Sequence, residues 1–291
     1  MGRSFLELTK EHPCFSVGAK ANKGRVHLPV SPGCNIRCRF CDRKLGVSDV
    51  RPGVASAIIS PEEAVEAVRK AVALCPDITV AGVAGPGDTL ATPYALEAFR
   101  RIREEFPDII KCMSTNGLLL PDHAREIIEV GIDALTVTVN AVDPGIQARI
   151  CSGITYHGKQ YEGVRAAEIL IENQLDGIRT VSDAGITVKV NTVLIPEINA
   201  DHVETVAKTV AEAGAKIYNI IPLIPRHELS WCSSPSCALL SSVRGKAEKY
   251  IRVFRHCQRC RADAAGIPGE EDFSGQIYLR PVRLENTFSH G

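Results

Sequence analysis

The sequence predicts an α/β fold, a partial (β/α)6 barrel of the TIM type that is open on one side. The prediction rests on six short apolar runs, rich in β-branched residues, that alternate with segments of helical periodicity. Near-continuous apolar strands of this kind are typical of a parallel sheet covered by helices. The six runs are 25–30, 77–83, 109–114, 133–139, 186–194 and 216–224.

The helical segments between these runs carry their own start and stop signals. In the first, Ser60 can cap the helix, Pro61 can take the first helical position and Glu63 can complete a capping box. Two more segments, 92–106 and 199–214, repeat the helical pattern, and the second ends on a glycine. In barrels of this kind the functional residues lie at the carboxyl ends of the strands, so we expect them there.

The composition changes at about residue 225, after which the chain is loop-like and rich in Cys, Gly, Pro and Ser. We predict an irregular, Cys-rich C-terminal segment that folds back over the open side of the barrel. The chain is therefore interpreted as one domain in three parts: an N-terminal segment (1–24), the barrel (25–224) and the C-terminal segment (225–291).

Charge and hydropathy exclude several classes of function. The 34 basic residues balance the 34 acidic ones, so no net field attracts nucleic acid or an anionic membrane. No apolar run reaches the roughly 18 residues that a membrane span needs, and the first residues lack the apolar region of a signal peptide. We expect a soluble, cytoplasmic, monomeric protein without nucleic-acid or membrane partners.

The stretch VSPGCNIRCRFCDRK, residues 30–44, places Cys34, Cys38 and Cys41 at C-x-x-x-C-x-x-C spacing in the loop after the first strand. The 11 cysteines are an odd number scattered over the chain, which indicates metal ligands and buried thiols instead of a disulfide framework. Three thiolates can form part of a structural zinc site. Alternatively they can hold a 4Fe–4S cluster and leave one iron open for an exchangeable ligand.

This spacing, with Phe40 before the third cysteine, resembles the signature of the radical S-adenosylmethionine (SAM) superfamily. In that superfamily the amino and carboxylate groups of SAM bind the open iron, and the fold is the partial TIM-type barrel. The turn AGPGDTL at 84–90, with Gly85, Gly87 and Asp88, resembles the motif that binds the SAM amine. The resemblance also implies nucleoside contacts at strand ends, namely Thr115, Asn116, Thr138, Asn140, Val190 and Asn191. For each of these alone, polar capping of a strand end is the alternative.

Six further Cys and His residues are candidate ligands: His12, Cys14, His27, Cys112, Cys257 and Cys260. The pair Cys257 and Cys260 forms a C-x-x-C preceded by a histidine, which is a strong ligand signal. An isolated histidine such as His27 is more often a core residue. However, His27 lies in the strand that leads into the cysteine loop, and Cys112 lies two residues before STNG, so both can point toward the barrel mouth.

The strings HPCFS, HLPVSPGCNIRCRFC, RPGV, AGPGD, STNG and HCQRCRADAAG resemble, in that order, the NifB family of nitrogenase iron–molybdenum (FeMo) cofactor biosynthesis proteins. The resemblance covers residues 12 to about 272. It implies a catalytic core without the C-terminal carrier domain of many bacterial members. It also implies three 4Fe–4S clusters: a SAM-binding cluster on the cysteine loop and two substrate clusters on the six candidate ligands.

In that family a SAM methyl group becomes the central carbide as the two substrate clusters and an added sulfur fuse into an eight-iron product, and Cys112 is expected to act beside the loop cysteines. The implied partners are SAM, donors of iron–sulfur clusters, an electron donor, and a cofactor carrier or nitrogenase maturation scaffold downstream. The loop after Cys41 departs from the family pattern, so no role is assigned to it. No role is assigned to four further cysteines either: Cys75, Cys151, Cys232 and Cys237.

Two alternatives stay open at this stage. One is another radical SAM enzyme whose C-terminal cysteines bind an auxiliary cluster and whose substrate is a peptide or a small molecule. Such an enzyme would hold about eight irons, against about twelve for the NifB family. The other is a non-enzymatic iron–sulfur scaffold or zinc module, which would not cleave SAM.

Overall fold

The computed structural model describes residues 3–46, 49–257 and 260–278. The strands in these residues are β1 (Gly24–His27), β2 (Ile36–Cys38), β3 (Lys44–Leu45), β4 (Val54–Ala55), β5 (Ile78–Val83), β6 (Ile110–Thr115), β7 (Ala134–Thr138), β8 (Cys151–Tyr156), β9 (Lys159–Glu162), β10 (Thr187–Leu194), β11 (Ile217–Pro222), β12 (Arg252–Val253) and β13 (Ala265–Gly266). The α-helices are α1 (Phe5–Glu11), α2 (Val17–Asn22), α3 (Pro61–Leu74), α4 (Tyr94–Glu105), α5 (Leu120–Val130), α6 (Pro144–Ile150), α7 (Gly163–Asp183), α8 (Val203–Glu212), α9 (Cys237–Ala247) and α10 (Ser274–Ile277).

The six predicted strands are confirmed. They are β1, β5, β6, β7, β10 and β11, and they lie side by side in that order as a parallel sheet. Helices connect them, and the outward side chains of the strands pack with these helices into the main apolar core. Val26, Met113, Leu135 and Val188 belong to this core and are each fully buried. The partial barrel is therefore built as the apolar runs predicted.

The predicted helix signals are confirmed at α3. Ser60 accepts a hydrogen bond from the backbone of Glu63, the Glu63 side chain bonds back to the cap, and Pro61 is the first helical residue. This capping box satisfies backbone donors that have no partner inside the helix. The segment 199–214 also forms a helix, α8, and Gly214 follows it with a φ of 106°, a conformation that favours glycine.

The C-terminal segment is more regular than predicted. It contains α9, which Ser236 caps by accepting a hydrogen bond from the backbone of Leu239. Its later part extends both edges of the sheet, because β12 pairs in parallel with β11 and β13 pairs antiparallel with β1. The strands β12 and β13 therefore lie at opposite edges of the sheet. Residues 258, 259 and 279–291 of the predicted segment lie outside the described residues.

The N-terminal segment packs into the barrel at the end where the strands begin. Leu8 and Phe15 are buried against Ile110 and Ile217, which are the first residues of β6 and β11, and against Val80 of β5. This small apolar cluster fills the bottom of the barrel. Within the described residues, no helix has both the length and the apolar character that crossing a bilayer would require.

Candidate active site

A pocket opens where β1, β5, β6 and β7 end, and we call it the cysteine-loop pocket. It lies at the carboxyl ends of the parallel strands, as expected for this fold. Its walls include most of the residues predicted for SAM and its cluster. These are Cys34, Cys38, Phe40, Cys41, Gly87, Asp88, Thr115, Asn116, Thr138 and Asn140.

The glycine turn at 84–90 is held tightly against the cysteine loop. The backbone N–H of Gly87 donates to the carbonyl of Ser31 at 2.7 Å, and that of Asp88 donates to the carbonyl of Gly33 at 2.7 Å. A Cβ atom on Gly87 would overlap the Gly33 carbonyl and would lie 2.8 Å from the Ser31 oxygen. Gly87 is therefore required by the close approach of two backbones, and the turn positions the loop that carries the three cysteines.

Gly87→Ala should destabilise the metal-free protein by about 1–3 kcal/mol, because the backbone of the cysteine loop must move to admit the methyl group. Urea unfolding of the two proteins measures the difference. Gly245→Ala is the matched control: Gly245 lies in α9 with no atom within 4 Å of its Cβ position. Alanine there should leave stability unchanged or raise it by up to about 1 kcal/mol. Equal stability of Gly87→Ala and the parent would contradict the close approach.

Asp88 forms hydrogen bonds inside the protein and also lines the pocket, so its predicted contact with the cofactor stays a prediction. Its buried carboxylate accepts hydrogen bonds from the Thr115 hydroxyl at 3.0 Å and from the backbone N–H groups of Asn116 at 2.5 Å and Leu90 at 3.0 Å. The Asn116 amide donates in turn to Asn35 at 2.6 Å. Asp88, Thr115 and Asn116 thus join the glycine turn and STNG to the cysteine loop, and they position the pocket.

The other predicted nucleoside contacts are three polar residues, Thr138, Asn140 and Asn191, and one apolar residue, Val190. Thr138 and Asn140 line the pocket, and the Asn140 side-chain oxygen also accepts a hydrogen bond from the backbone of Val193 at 2.9 Å. Asn191 accepts from Asn219 at 3.1 Å. Val190 is fully buried in the core between sheet and helices. Alternation along β10 turns the Val190 side chain outward into this core, and its predicted nucleoside contact stays a prediction.

The three loop thiols are protonated at neutral pH without a metal. Burial, helped by Asp88, raises the pKa of Cys34 to about 11. A hydrogen bond with Cys151, together with burial, raises the pKa of Cys38 well above its usual value. Burial also raises the pKa of Cys41, although the charge of Arg43 acts in the opposite direction. Binding of iron must therefore displace protons from these thiols.

Three residues of the site were missed by sequence reasoning. Arg43 lines the pocket from the loop to which no role was assigned. Gln174 of α7 donates to the carbonyls of Asn116 at 2.6 Å and Thr138 at 2.9 Å, and so holds two strand ends together. Cys151 lies opposite Cys38 in the pairing of β2 with β8. None of the three has a local pattern that marks it in the sequence.

A second group of predicted ligands lies deeper in the barrel. We call it the inner cluster: His12, Cys14, His27, Cys112 and the neighbouring Lys189. Cys14 and Cys112 pack against the apolar cluster around Phe15, and the rings of His12 and Phe15 are 4.3 Å apart. The Nδ1 atom of His12 accepts a hydrogen bond from the Cys14 backbone at 3.1 Å. The N-terminal segment thus brings His12 and Cys14 to the strand residues, which lie deeper than the predicted barrel mouth.

Gly82 separates two of these ligands. Parallel pairing places His27 of β1 beside Gly82 of β5, and Gly82 beside Cys112 of β6. The backbones of β1 and β6 are therefore about 10 Å apart, twice the strand spacing. The φ of Gly82 is not positive, so its backbone conformation would also allow a residue with a side chain. Glycine at this position leaves space between His27 and Cys112.

The tail cysteines approach the same region from the C-terminal segment. Cys260 accepts a hydrogen bond from Arg25 of β1 at 3.4 Å. Cys257 is exposed, but its charge and that of Cys260 both act on the pKa of Cys14, which burial raises. The structure therefore brings the six predicted ligands toward one side of the barrel interior. Among the described residues, no three Cys, His, Asp or Glu side chains converge closely enough for a single metal ion. A 4Fe–4S cluster does not need such convergence, since its thiolates bind different irons.

Both histidines of the inner cluster are neutral at pH 7, which is the state that binds metals. Burial, with the charge of Arg25, lowers the pKa of His27 to about 4. Burial, with the charges of Lys189 and His27, lowers the pKa of His12 well below its usual range.

The metal-free protein should lose stability as the pH falls from about 6.5 to about 4. In this window the unfolded chain protonates His27 and the folded protein does not, so stability is complete above pH 6.5 and decreases below it. The decrease due to His27 is at most about 3 kcal/mol. His27→Gln should flatten the profile in urea titrations. His157→Asn, at an exposed position with a φ of 48° that asparagine tolerates, should not. Identical profiles for parent and His27→Gln would contradict this origin.

Comparison with known proteins agrees with this geometry. The family model described as the Radical SAM superfamily matches residues 28–210. The FeMo cofactor biosynthesis protein NifB of Methanocaldococcus jannaschii is 44% identical over 286 residues, which are 98% of this chain and 95% of that protein. The chain belongs to the NifB family. NifB of Bradyrhizobium diazoefficiens is 42% identical over 273 residues, but the match covers 91% of this chain and only 55% of that protein.

Solved structures show the same fold at low sequence identity. A radical SAM methyltransferase from Sphaerobacter thermophilus is 19% identical, with a TM-score of 0.58 over 79% of this chain and 64% of that chain. Streptococcus suis SuiB bound to S-adenosylmethionine is 11% identical, with a TM-score of 0.56 over 87% of this chain and 54% of that chain. These likenesses support the fold alone.

Membership of the radical SAM superfamily implies a 4Fe–4S cluster and SAM, and the pocket residues fit both. Cys34, Cys38 and Cys41 share one pocket, and their loop is braced by the glycine turn and by STNG. The turn exposes backbone close to these thiols, where a SAM amine or carboxylate can approach. Because the pocket also contains Thr138 and Asn140, the NifB-family chain offers polar groups for a nucleoside at the adjacent strand ends.

Proposed function

We propose that this protein fuses two 4Fe–4S substrate clusters, a SAM-derived carbide and an added sulfur into the eight-iron precursor of the nitrogenase FeMo cofactor (NifB-co). The proposal rests on the position of the inner cluster, which lies next to the cysteine-loop pocket and deeper in the barrel. Cys112 and the pocket residue Ser114 lie on the same face of β6, two residues apart, which is about 7 Å along a strand. A substrate cluster held by Cys112 would therefore lie next to SAM.

In the pocket, Cys34, Cys38 and Cys41 hold the SAM-binding cluster. One SAM molecule bound there would supply the methyl group, and a second, cleaved with one electron from the electron donor, would supply the 5′-deoxyadenosyl radical that removes hydrogen from the transferred methyl. The backbone of the turn at 84–90 binds the amino-acid end of SAM, and Thr138 and Asn140 lie at the nucleoside end. The protein contributes orientation and a water-poor interior, and the cofactors contribute reactivity.

The four ligands of the inner cluster, together with Cys257 and Cys260, suit a substrate that must be released. Six ligands for two clusters leave iron sites open, and neutral imidazoles exchange more readily than thiolates. His12 and Cys14 come from the N-terminal segment and Cys257 and Cys260 from the C-terminal segment. Cys112, in contrast, lies on a central strand of the sheet. The proposal also requires iron–sulfur cluster donors, an electron donor and a carrier that receives the product.

Anaerobic reconstitution with iron and sulfide tests the proposal. The protein should bind about twelve irons, and the Cys257→Ala,Cys260→Ala double variant should bind fewer while retaining the SAM-binding cluster. With methyl-labelled SAM and dithionite, the label should appear in the extracted iron–sulfur product of the parent protein and not in that of the double variant. A Cys237→Ala variant, which changes an exposed cysteine of α9, is the control and should behave as the parent.

Other outcomes would reject the proposal. A parent protein with about eight irons that modifies a peptide or small molecule would instead be a radical SAM enzyme with one auxiliary cluster. If the double variant kept full iron content and made product, the two tail cysteines would be packing residues.

A further inference from the structure

Lys189 is a buried cation inside the barrel. It is the third residue of β10, and only 7% of its surface is exposed. Its neighbours Val188 and Val190 belong to the outer core, so alternation along the strand directs Lys189 inward. The Lys189 ammonium lies 5.6 Å from the centre of the Phe15 ring, which packs with Cys14 and Cys112. Lys189 therefore faces the predicted substrate ligands.

The charged surroundings of Lys189 differ from those of a second buried lysine, Lys111. Lys111 is 4% exposed, and its ammonium lies 3.6 Å from the carboxylate of Asp133, which directly precedes β7. Within 3–46, 49–257 and 260–278, no carboxylate lies at ion-pair distance from Lys189. The Phe15 ring face offers only a weak attraction, of about 1 kcal/mol. A buried ammonium with no carboxylate beside it can pair with an anion that enters the barrel interior.

Arg25 adds a second positive charge at the same end of the inner cluster. It is 7% exposed, and its guanidinium donates to the Gly266 carbonyl at 2.5 Å and to the Cys260 thiol at 3.4 Å. Neither partner is a carboxylate. The interior is thus positively charged and lined by ligands for iron.

We propose that Lys189 is the counter-cation of the anionic iron–sulfur substrate, and that it positions this substrate against Cys112 and His12. The inference rests on the proposed function, because it takes the inner cluster to hold 4Fe–4S clusters. An iron–sulfur cluster on thiolate ligands carries net negative charge, and its potential depends on nearby charges. Lys189 would therefore favour both retention of the cluster and its reduced state. It is a positioning residue and takes no part in bond making.

The test uses a parent protein in which Cys34, Cys38 and Cys41 are replaced by alanine, so that only substrate clusters are observed. Lys189→Met keeps the length of the side chain and removes its charge, and Lys189→Arg keeps the charge. Lys216→Met is the matched control, since Lys216 is an exposed residue directly before β11. Three quantities are measured: the Tm of the metal-free protein, the rate of iron loss to a chelator, and the cluster midpoint potential by EPR titration.

Lys189→Met should raise the Tm of the metal-free protein by about 2 to 4 °C, because an uncompensated buried charge is removed. It should also accelerate iron loss about tenfold and shift the midpoint potential to more negative values. Lys189→Arg should retain iron as the parent does. Lys216→Met should resemble the parent in the Tm, the rate of iron loss and the midpoint potential. Opposite effects on the metal-free and loaded proteins distinguish a counter-cation from a structural lysine.

Several results would overturn the inference. Unchanged iron retention and potential in Lys189→Met, with clusters bound in the parent, would remove only the role of Lys189. A lower Tm of metal-free Lys189→Met would make it a structural residue. If the parent binds no iron at all, the inner cluster is not an iron–sulfur site, and the proposed function fails together with this inference.

Discussion

Cys38→Ala should abolish reductive cleavage of SAM while leaving the substrate clusters in place. Cys38 lies between the other two loop cysteines and lines the same pocket, so its loss leaves the SAM-binding cluster with two protein ligands. The inner cluster draws its ligands from β1, β6 and the two chain ends, and it is built independently of this loop. Formation of 5′-deoxyadenosine should therefore fall to background, while iron content falls from about twelve to about eight.

Cys75→Ala is the control for this experiment. Cys75 is a half-buried thiol at the carboxyl end of α3, far from the carboxyl ends of the strands, and its replacement should leave SAM cleavage unchanged. Production of 5′-deoxyadenosine by the Cys38→Ala protein at the parent rate would show that the loop does not hold the SAM-binding cluster.

Cys112→Ala should uncouple SAM cleavage from cluster chemistry. On the proposed function, Cys112 holds the substrate cluster that receives the methyl group, and this transfer requires an approach of about 3 to 3.5 Å to the reacting carbon. Without this thiolate, neither methyl transfer to cluster sulfide nor the later hydrogen abstraction should occur, although 5′-deoxyadenosine can still form. Methyl-labelled SAM should then leave no label in the extracted iron–sulfur product, whereas the parent transfers it.

Two controls make this result specific. Cys232→Ala changes a buried thiol in another apolar cluster and should transfer label as the parent does. Label found on a cysteine of the digested parent protein would indicate protein methylation instead. Normal transfer of label by Cys112→Ala would remove Cys112 from the substrate ligands.

The local patterns of the sequence predicted most of the barrel. Six apolar runs became the six parallel strands because each buries both faces, and Ser60, Pro61 and Glu63 began α3 because capping depends on neighbours in the chain. The helix α9 was missed because its amphipathic pattern is weak and it packs through few buried residues, Val243 and Ala247. The division into 1–24, 25–224 and 225–291 and the predicted roles of the ligands stay predictions.

The three-cysteine loop could also be found from sequence, since its ligands lie within eight consecutive residues, 34–41. The glycine turn could also be found from the sequence, but only part of its role could be predicted. The sequence suggested that Gly87 allows a ligand to approach the backbone closely. The structure shows that it also allows the Gly33 carbonyl to do so. Asp88 was predicted as a ligand contact, and in the structure it is also the acceptor that joins Thr115 and Asn116 to the turn.

The sequence by itself determined the fold class, the SAM-cluster cysteines and a set of unassigned Cys and His residues, because these depend on spacing along the chain. Only the tertiary structure decided that His12 and Cys14 meet Cys112 inside the barrel, that Val190 faces outward, and that Lys189 has no described counter-charge. Such facts depend on which strands are neighbours and on the direction of each side chain. Residues 174 positions apart, such as Phe15 and Lys189, carry no local signal of their contact.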